Sequence, residues 1–210
     1  MREPEPEQPA SLRAAQVAQT RAALLAAGRR LFGENGFRTT SVEDLAREAR
    51  VTTGALYHHF PTKTALFEAV FTQAHIDLLM TATTAAKSPS DDGPAQKRED
   101  LARGVDAFLD GILQPDIQRI LVLDGPAVLG LARFTELDEQ YAHAAIMHAL
   151  VSVAEAGATQ IADPDTTTSL LLGALTRGAM LIANSTDPVE TRHAVARSMR
   201  SLLNSFTAPD

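Results

Sequence analysis

The chain has 210 residues, 45% of them hydrophobic, enough for one or two domains with a substantial core. It lacks cysteine, which excludes disulfide frameworks and thiolate metal sites, and no uninterrupted apolar run reaches the ~18 residues of a membrane span. The formal net charge is −7, yet residues 12–63 carry eight Lys and Arg against four Asp and Glu, while residues 64–210 carry ten against nineteen. A basic head on an acidic body lets one end meet phosphates while the remainder repels them.

Residues 1–11 are rich in Pro and Glu, with little to bury, and read as a disordered tail. That start is unlike a signal peptide, so a cytoplasmic location is expected. A long helix follows from residue 11 or 12 to 34, with Leu24, Gly28, Leu31 and Phe32 facing inward and Asn35-Gly36 as its stop. Ser41 and Asp44 have the spacing of a capping box, so a helix begins there. Its buried stripe is Val42, Leu45, Ala46 and Ala49, while Glu43, Arg47 and Glu48 face water. Val51 follows the turn, and Thr52 or Thr53 can cap a second short helix that docks through Leu56 and Phe60. Pro61 stops it at His59 or Phe60. Gly54 and Ala55 leave room at its exposed N-terminal end for a phosphate or a base edge. This is a helix-turn-helix pattern, and the partner it implies is double-stranded DNA entered through the major groove.

Thr62 can cap a long amphipathic helix running through Leu66, Phe67, Val70, Phe71 and Ala74 to near residue 86. Residues 87–93 have loop chemistry. Helices resume near residue 95 on the stripe Leu101, Val105, Phe108, Leu109 and Ile112. Gln114-Pro115 breaks that helix, Ile117, Ile120 and Leu121 make a short one, and Asp124-Gly125-Pro126 is expected to break again before an apolar segment at 128–134. Two long helices are expected next, at 135–155 with Gly157 as the stop and from Asp163-Pro164 to residue 183, then a last one from Asp187-Pro188 to near Phe206. No alternating strand pattern and no internal repeat occur. The expected fold is all-α with roughly nine or ten helices. It divides into a three-helix helix-turn-helix DNA-binding domain at 12–61 and a larger helical domain at 62–210.

The segment 170–182 is apolar almost all round, which fits either buried core or a dimer face shared with the 135–156 helix. Gly173 and Gly178 would permit close helix approach there.

The residues Thr40-Ser41-Val42, Leu45-Ala46, Gly54-Ala55-Leu56-Tyr57-His58-His59-Phe60 and Lys63, with Leu31-Phe32 and Asn35-Gly36-Phe37 upstream, resemble the reading head of the TetR family of one-component bacterial transcriptional regulators. The resemblance covers roughly residues 16–71 and rests on spacing as well as residue type. One departure stands out, because the family usually has glycine in the turn before Val51 and this chain has Arg50. A left-handed turn at a non-glycine residue costs about 1–2 kcal/mol, so either the turn is rebuilt or Arg50 compensates through a phosphate. The resemblance implies that Thr52, Thr53, Ala55 and His58 face the groove, with Gly54 admitting close approach. It places Ser41, Tyr57, His59 and Lys63 near phosphates. It also implies a homodimer through the helices near 135–156 and 165–184, and a repressor released from a near-palindromic operator by a small hydrophobic or aromatic effector. Phe71, Phe108, Ile112, Phe134, Tyr141 and Met147 are candidates to line its cavity, ordinary core being the plainer reading of each.

Neither a cofactor nor a metal is expected, and no catalytic residue. His58 and His59 lie about 100° apart on a helix and cannot hold one ion there. His143 and His148 fall on different faces, and no His-Glu-x-x-His, phosphate loop or Gly-x-Ser-x-Gly string occurs. Glu139 and His143, four apart, fit a surface contact. The alternative to a DNA-binding regulator is a helical ligand-sensing or adaptor protein without operator binding, for which Arg50 is the only support.

Overall fold

The computed structural model describes residues 10–88, 93–157 and 161–206. The expected tail lies outside the described residues except for its last two, which are helical, and so does most of the expected loop at 87–93. Among the described residues there are ten α-helical segments and one π-helical stretch, with no strand. The chain divides into two compact units, Met1–Val70 and Phe71–Asp210.

The first unit is built from α1 (Ala10–Asn35), α2 (Val42–Glu48), α3 (Thr53–His59) and the opening turns of α4 (Lys63–Ala85). Leu24, Phe32, Leu45, Leu56, Leu66 and Phe67 are fully buried, each worth about 1.5–3 kcal/mol relative to exposure. Phe32, Phe37 and Phe67 meet with ring centroids 5.3–5.8 Å apart, two of the three pairs in the edge-on geometry that aromatic quadrupoles favour. α1 and α4 come close at Gly28, where a Cβ would lie 2.8 Å from Val70 Cγ2. α1 thus packs on the start of α4 at Gly28, one of its predicted inward positions, and Arg30 on it pairs with Glu48 of α2.

The second unit holds the rest of α4, α5 (Gly93–Ile112), the single turn α6 (Pro115–Ile117), a π-helical stretch (Gln118–Asp124), α7 (Gly125–Leu129), α8 (Leu131–Glu155), α9 (Pro164–Ala183) and α10 (Pro188–Phe206). One expected boundary is wrong. The chain does not break at Asp124-Gly125-Pro126; it winds on into α7 and breaks at Gly130, whose φ of 78° only glycine adopts readily. Gly125 serves close packing instead, since a Cβ there would meet the Phe71 ring at 2.8 Å and the Ile120 carbonyl at 3.1 Å. The expected segment at 128–134 is thus divided between α7 and α8. α9 starts where Asp163 accepts the Thr166 N–H at 3.1 Å, and the Thr166 hydroxyl bond holds that carboxyl below its usual range. α10 is tied to α5 by Arg192, which donates to the Asp106 carbonyl at 3.0 Å, and by Arg200, which grips the Asp106 carboxylate.

Candidate nucleic-acid interface and ligand cavity

Local chemistry fixes the short helices of the first unit. The Ser41 hydroxyl accepts the Asp44 N–H at 3.0 Å while Asp44 Oδ2 accepts the Ser41 N–H at 3.3 Å, completing the capping box. The Asp44 carboxyl is held below its usual range by the Ser41 side chain first and the Ser41 backbone next. Thr52, not Thr53, caps α3, its Oγ1 accepting the Ala55 N–H at 3.1 Å. Phe60 ends the helix in an extended conformation ahead of Pro61.

The turn between them is not rebuilt. Arg50 stands at φ 57°, the only non-glycine residue with positive φ among the described residues. Its N–H donates to the Arg47 carbonyl at 3.1 Å, and the Val51 N–H donates to the Ala46 carbonyl at 2.9 Å. Those two bonds are the Schellman pattern that normally ends on glycine. An exposed arginine therefore occupies the left-handed corner of the head.

The predicted contact residues separate into two groups. Thr52, Thr53, Gly54, Tyr57 and His58 are exposed around the start and outer face of α3, with Ala55 and His59 half-buried beside them. Tyr57 is 51% exposed, so its ring is not core. Ser41 and Lys63 are engaged inside the head instead. The Ser41 hydroxyl donates to Asp44 at 2.6 Å besides capping. The Lys63 ammonium donates to the carbonyls of Phe37 at 2.9 Å and Thr40 at 3.0 Å, and sits 4.1 Å from the Phe37 ring centroid. Two of its three N–H groups hold the α1–α2 connection to α4, leaving one for a phosphate. Around this surface Arg30 pairs with Glu48 and Glu34, and Arg47 with Asp44; Arg38 and Arg50 are exposed.

In the second unit two adjoining cavities, of about 30 and 80 Å³, share His75, Phe108 and Asp138 in their walls. Phe71, Ile112 and Phe134 line the smaller one with Phe108, which brings four of the six predicted ligand residues together. Tyr141 and Met147 line neither. The Tyr141 ring lies edge-on to His75 at 6.4 Å, and Met147 Sδ accepts the Thr168 hydroxyl at 3.7 Å.

Sequence reasoning missed the polar members of this wall. Asp138 Oδ2 accepts the Thr176 hydroxyl at 2.8 Å, and Oδ1 lies 3.4 Å from His75 Nε2. Burial lowers His75 to about 4, keeping the imidazole neutral, and burial raises Asp138 to about 6 against the Thr176 bond. His75 Nδ1 is buried without a partner among the described residues. Nothing local marks these residues, which come from α4, α8 and α9. His143 Nε2 lies 3.3 Å from Asp165 Oδ1. No group of side chains among the described residues could hold a metal ion.

The comparisons with known proteins agree with both units. The family model "Bacterial regulatory proteins, tetR family" matches residues 24–70, and "Tetracyclin repressor-like, C-terminal domain" matches residues 98–206. A crystal structure of a TetR-family transcriptional regulator from Pectobacterium atrosepticum is 31% identical, covering 93% of this chain and 97% of that one, with a TM-score of 0.81. The transcriptional regulator UidR of Escherichia coli is 41% identical over 54 residues, 26% of this chain and 28% of its own length. The repressor KstR2 of Mycobacterium tuberculosis is 44% identical over 50 residues, 24% of this chain and 25% of its own. The alignments to these two curated relatives thus span about a quarter of their length.

A capped helix-turn-helix head followed by an all-α second unit is the architecture of a DNA-binding transcriptional regulator. The chain belongs to the TetR family.

Proposed function

We propose that this protein is a homodimeric repressor, acting in the cytoplasm, whose two heads enter successive major grooves of a near-palindromic operator. A small hydrophobic or aromatic ligand releases it. The observation that carries the reading is the exposed N-terminal end of α3, where Thr52, Thr53 and Gly54 precede Tyr57 and His58 on a helix capped by Thr52 and preceded by the capped α2. Threonine and histidine can hydrogen-bond base edges, and their placement matches a recognition helix. Arg38 and Arg50 add exposed positive charge to the same unit. An adaptor without operator binding is disfavoured by the turn at Arg50, which keeps the geometry that a reading head uses.

The dimer reading rests on α8 and α9. α9 is long and apolar enough by composition to cross a membrane, yet only 39% of its most apolar stretch is buried in its own unit. Leu170, Gly173, Arg177 and Leu181 recur at three and four residues and are exposed together. A second copy covering that stripe accounts for it. Release then requires that the ligand bind the DNA-incompetent arrangement more tightly than the competent one.

The test is selection of bound fragments from random or genomic DNA with the purified protein, followed by gel-shift titration in rising salt. An inverted-repeat consensus with affinity falling steeply in salt is expected. Failure to select any sequence at low salt returns the adaptor.

A further inference from the structure

The exposed stripe of α9 carries a single charge. From Thr166 to Thr186 every residue is uncharged except Arg177, which stands between Gly173 and Leu181 on the exposed side. An arginine keeps its charge throughout the range in which proteins fold and brings five N–H donors. A partner that covers Leu170 and Leu181 therefore covers Arg177 as well and has to supply it with acceptors, because a guanidinium taken out of water without them is costly. Its own unit supplies none, since the Arg177 side chain has no ion pair and no hydrogen bond among the described residues.

The matching charge lies on the neighbouring helix. α8 and α9 run antiparallel, Met147 meeting Thr168 towards one end and Asp138 Oδ2 accepting the Thr176 hydroxyl at 2.8 Å towards the other. One residue beyond that contact on each helix, Glu139 and Arg177 are both exposed. Glu136, a turn earlier on α8, is already held by Arg133 at 2.7 Å, whereas Glu139 has no ion pair among the described residues. One exposed face thus presents an unpaired cation and an unpaired carboxylate at nearly the same level, about 3 Å apart along the helix direction at about 1.5 Å per residue.

Symmetry decides how these charges can pair between copies. In an interface built from the same patch on two copies, each contact occurs twice, once in each direction. If α9 crossed its own copy at this level, two guanidinium groups would face each other in an apolar seam. If the two-fold axis instead runs parallel to the helices, α9 of each copy lies on α8 of the other at the same level. Each Arg177 then meets a Glu139, and all four charges are matched.

We propose that two copies of this chain join through a reciprocal pair of ion pairs, Arg177 of each to Glu139 of the other, which fixes the register of the seam and rejects partners without the complementary charge. This rests on reading α8 and α9 as the dimer face and specifies what orients the copies there.

The experiment reverses each charge separately and then mixes the products. Sedimentation velocity of the full chain over a dilution series is expected to show Arg177→Glu and Glu139→Arg each dimerising at least tenfold more weakly than wild type, since either reversal sets like charges face to face twice. Helical content should not change. Mixed in equal amounts, the two variants are expected to recover the wild-type dimer, because a mixed dimer holds two restored pairs. Pairing within one chain cannot give that recovery, as each chain would keep its own two like charges. Should either variant fail to fold alone, the two are produced together under different affinity tags; each is then expected to capture the other, and neither to capture a second copy of itself. Single variants that dimerise as wild type does, or a mixture that fails to associate, would overturn the ion pairs and leave the dimer standing. A wild-type chain that is monomeric at every concentration would overturn the dimer reading itself, and the pairs with it.

Discussion

Arg50 is where a single side chain departs most from what its backbone prefers. At φ 57° with both Schellman bonds in place, the corner between α2 and α3 has glycine's geometry without glycine. Removing the side chain relieves a strain of about 1–2 kcal/mol, from which glycine's greater freedom in the unfolded chain subtracts about 0.5–1 kcal/mol. Arg50→Gly should therefore raise the denaturant midpoint slightly. If the arginine also reaches a phosphate, the same variant should bind operator more weakly, and the slope of log K against log salt should fall by about one. An unchanged slope would confine Arg50 to backbone strain.

His75 and Asp138 make a second prediction at this scale, one that hinges on opposite signs. His75 has a folded value of about 4, below its ordinary 6.5, so its contribution to stability grows as pH rises between them. Asp138 has a folded value of about 6, above its ordinary 3.8, so its contribution is full at low pH and lost as pH rises through 6. The windows overlap and the two slopes oppose, with Glu139 adding to the upward shift of Asp138. Wild-type stability should be nearly flat between pH 4 and 6.5 as far as this pair is concerned. Asp138→Asn exposes the histidine slope, with stability rising across that window by up to about 3 kcal/mol, and His75→Phe exposes the reverse. Urea denaturation at both ends of the window measures each; a variant whose curve parallels wild type would refute the opposition.

Among the elements, what the sequence reveals depends on how far the controlling contact reaches. Helix starts at Ser41, Thr52, Asp163 and Asp187 follow from hydrogen bonds three residues long, so residue type and spacing find them, with Thr53 as a second candidate beside Thr52. The roles of Gly125 and Lys63 depend on partners elsewhere in the chain, the Phe71 ring in one case and the Phe37 and Thr40 carbonyls in the other. Gly-Pro at 125–126 therefore reads as a break although it packs, and Lys63 reads as a phosphate ligand although it first ties α4 to the α1–α2 connection. The cavity's aromatics were visible as apolar stripes, whereas His75, Asp138 and Thr176 are unremarkable until three helices bring them together.

The two glycines of α9 show the same division. A Cβ on Gly178 would lie 2.7 Å from Val195 Cγ1, a β-branched side chain with few rotamers to yield. Gly178→Ala should destabilise by about 1–3 kcal/mol and recover in combination with Val195→Ala. Nothing lies within 4 Å of a Cβ on Gly173, which is exposed. Gly173→Ala should leave monomer stability equal or higher, since alanine is favoured in a helix by about 1 kcal/mol. If the α9 stripe is the seam between copies, that methyl should still weaken self-association, which sedimentation velocity over a dilution series would reveal.

For the whole molecule, the proposed dimer bears on operator affinity, because one basic head offers few phosphate contacts against an acidic second unit bearing eighteen Asp and Glu and ten Lys and Arg. Two heads on one duplex double the counterion release and make the second engagement intramolecular. Leu170 and Leu181, 67% and 46% exposed, can be changed without disturbing the core of their unit. Leu170→Glu with Leu181→Glu should therefore give a folded, monomeric protein with unchanged helical content. Its salt slope on operator DNA should fall to about half, and its affinity by at least a hundredfold, the lower bound of the gain from linking two binding modules. A variant that stays dimeric would place the seam on another face. A monomer that captures the operator with undiminished affinity would show instead that one head suffices, leaving the repeated half-site without a physical role.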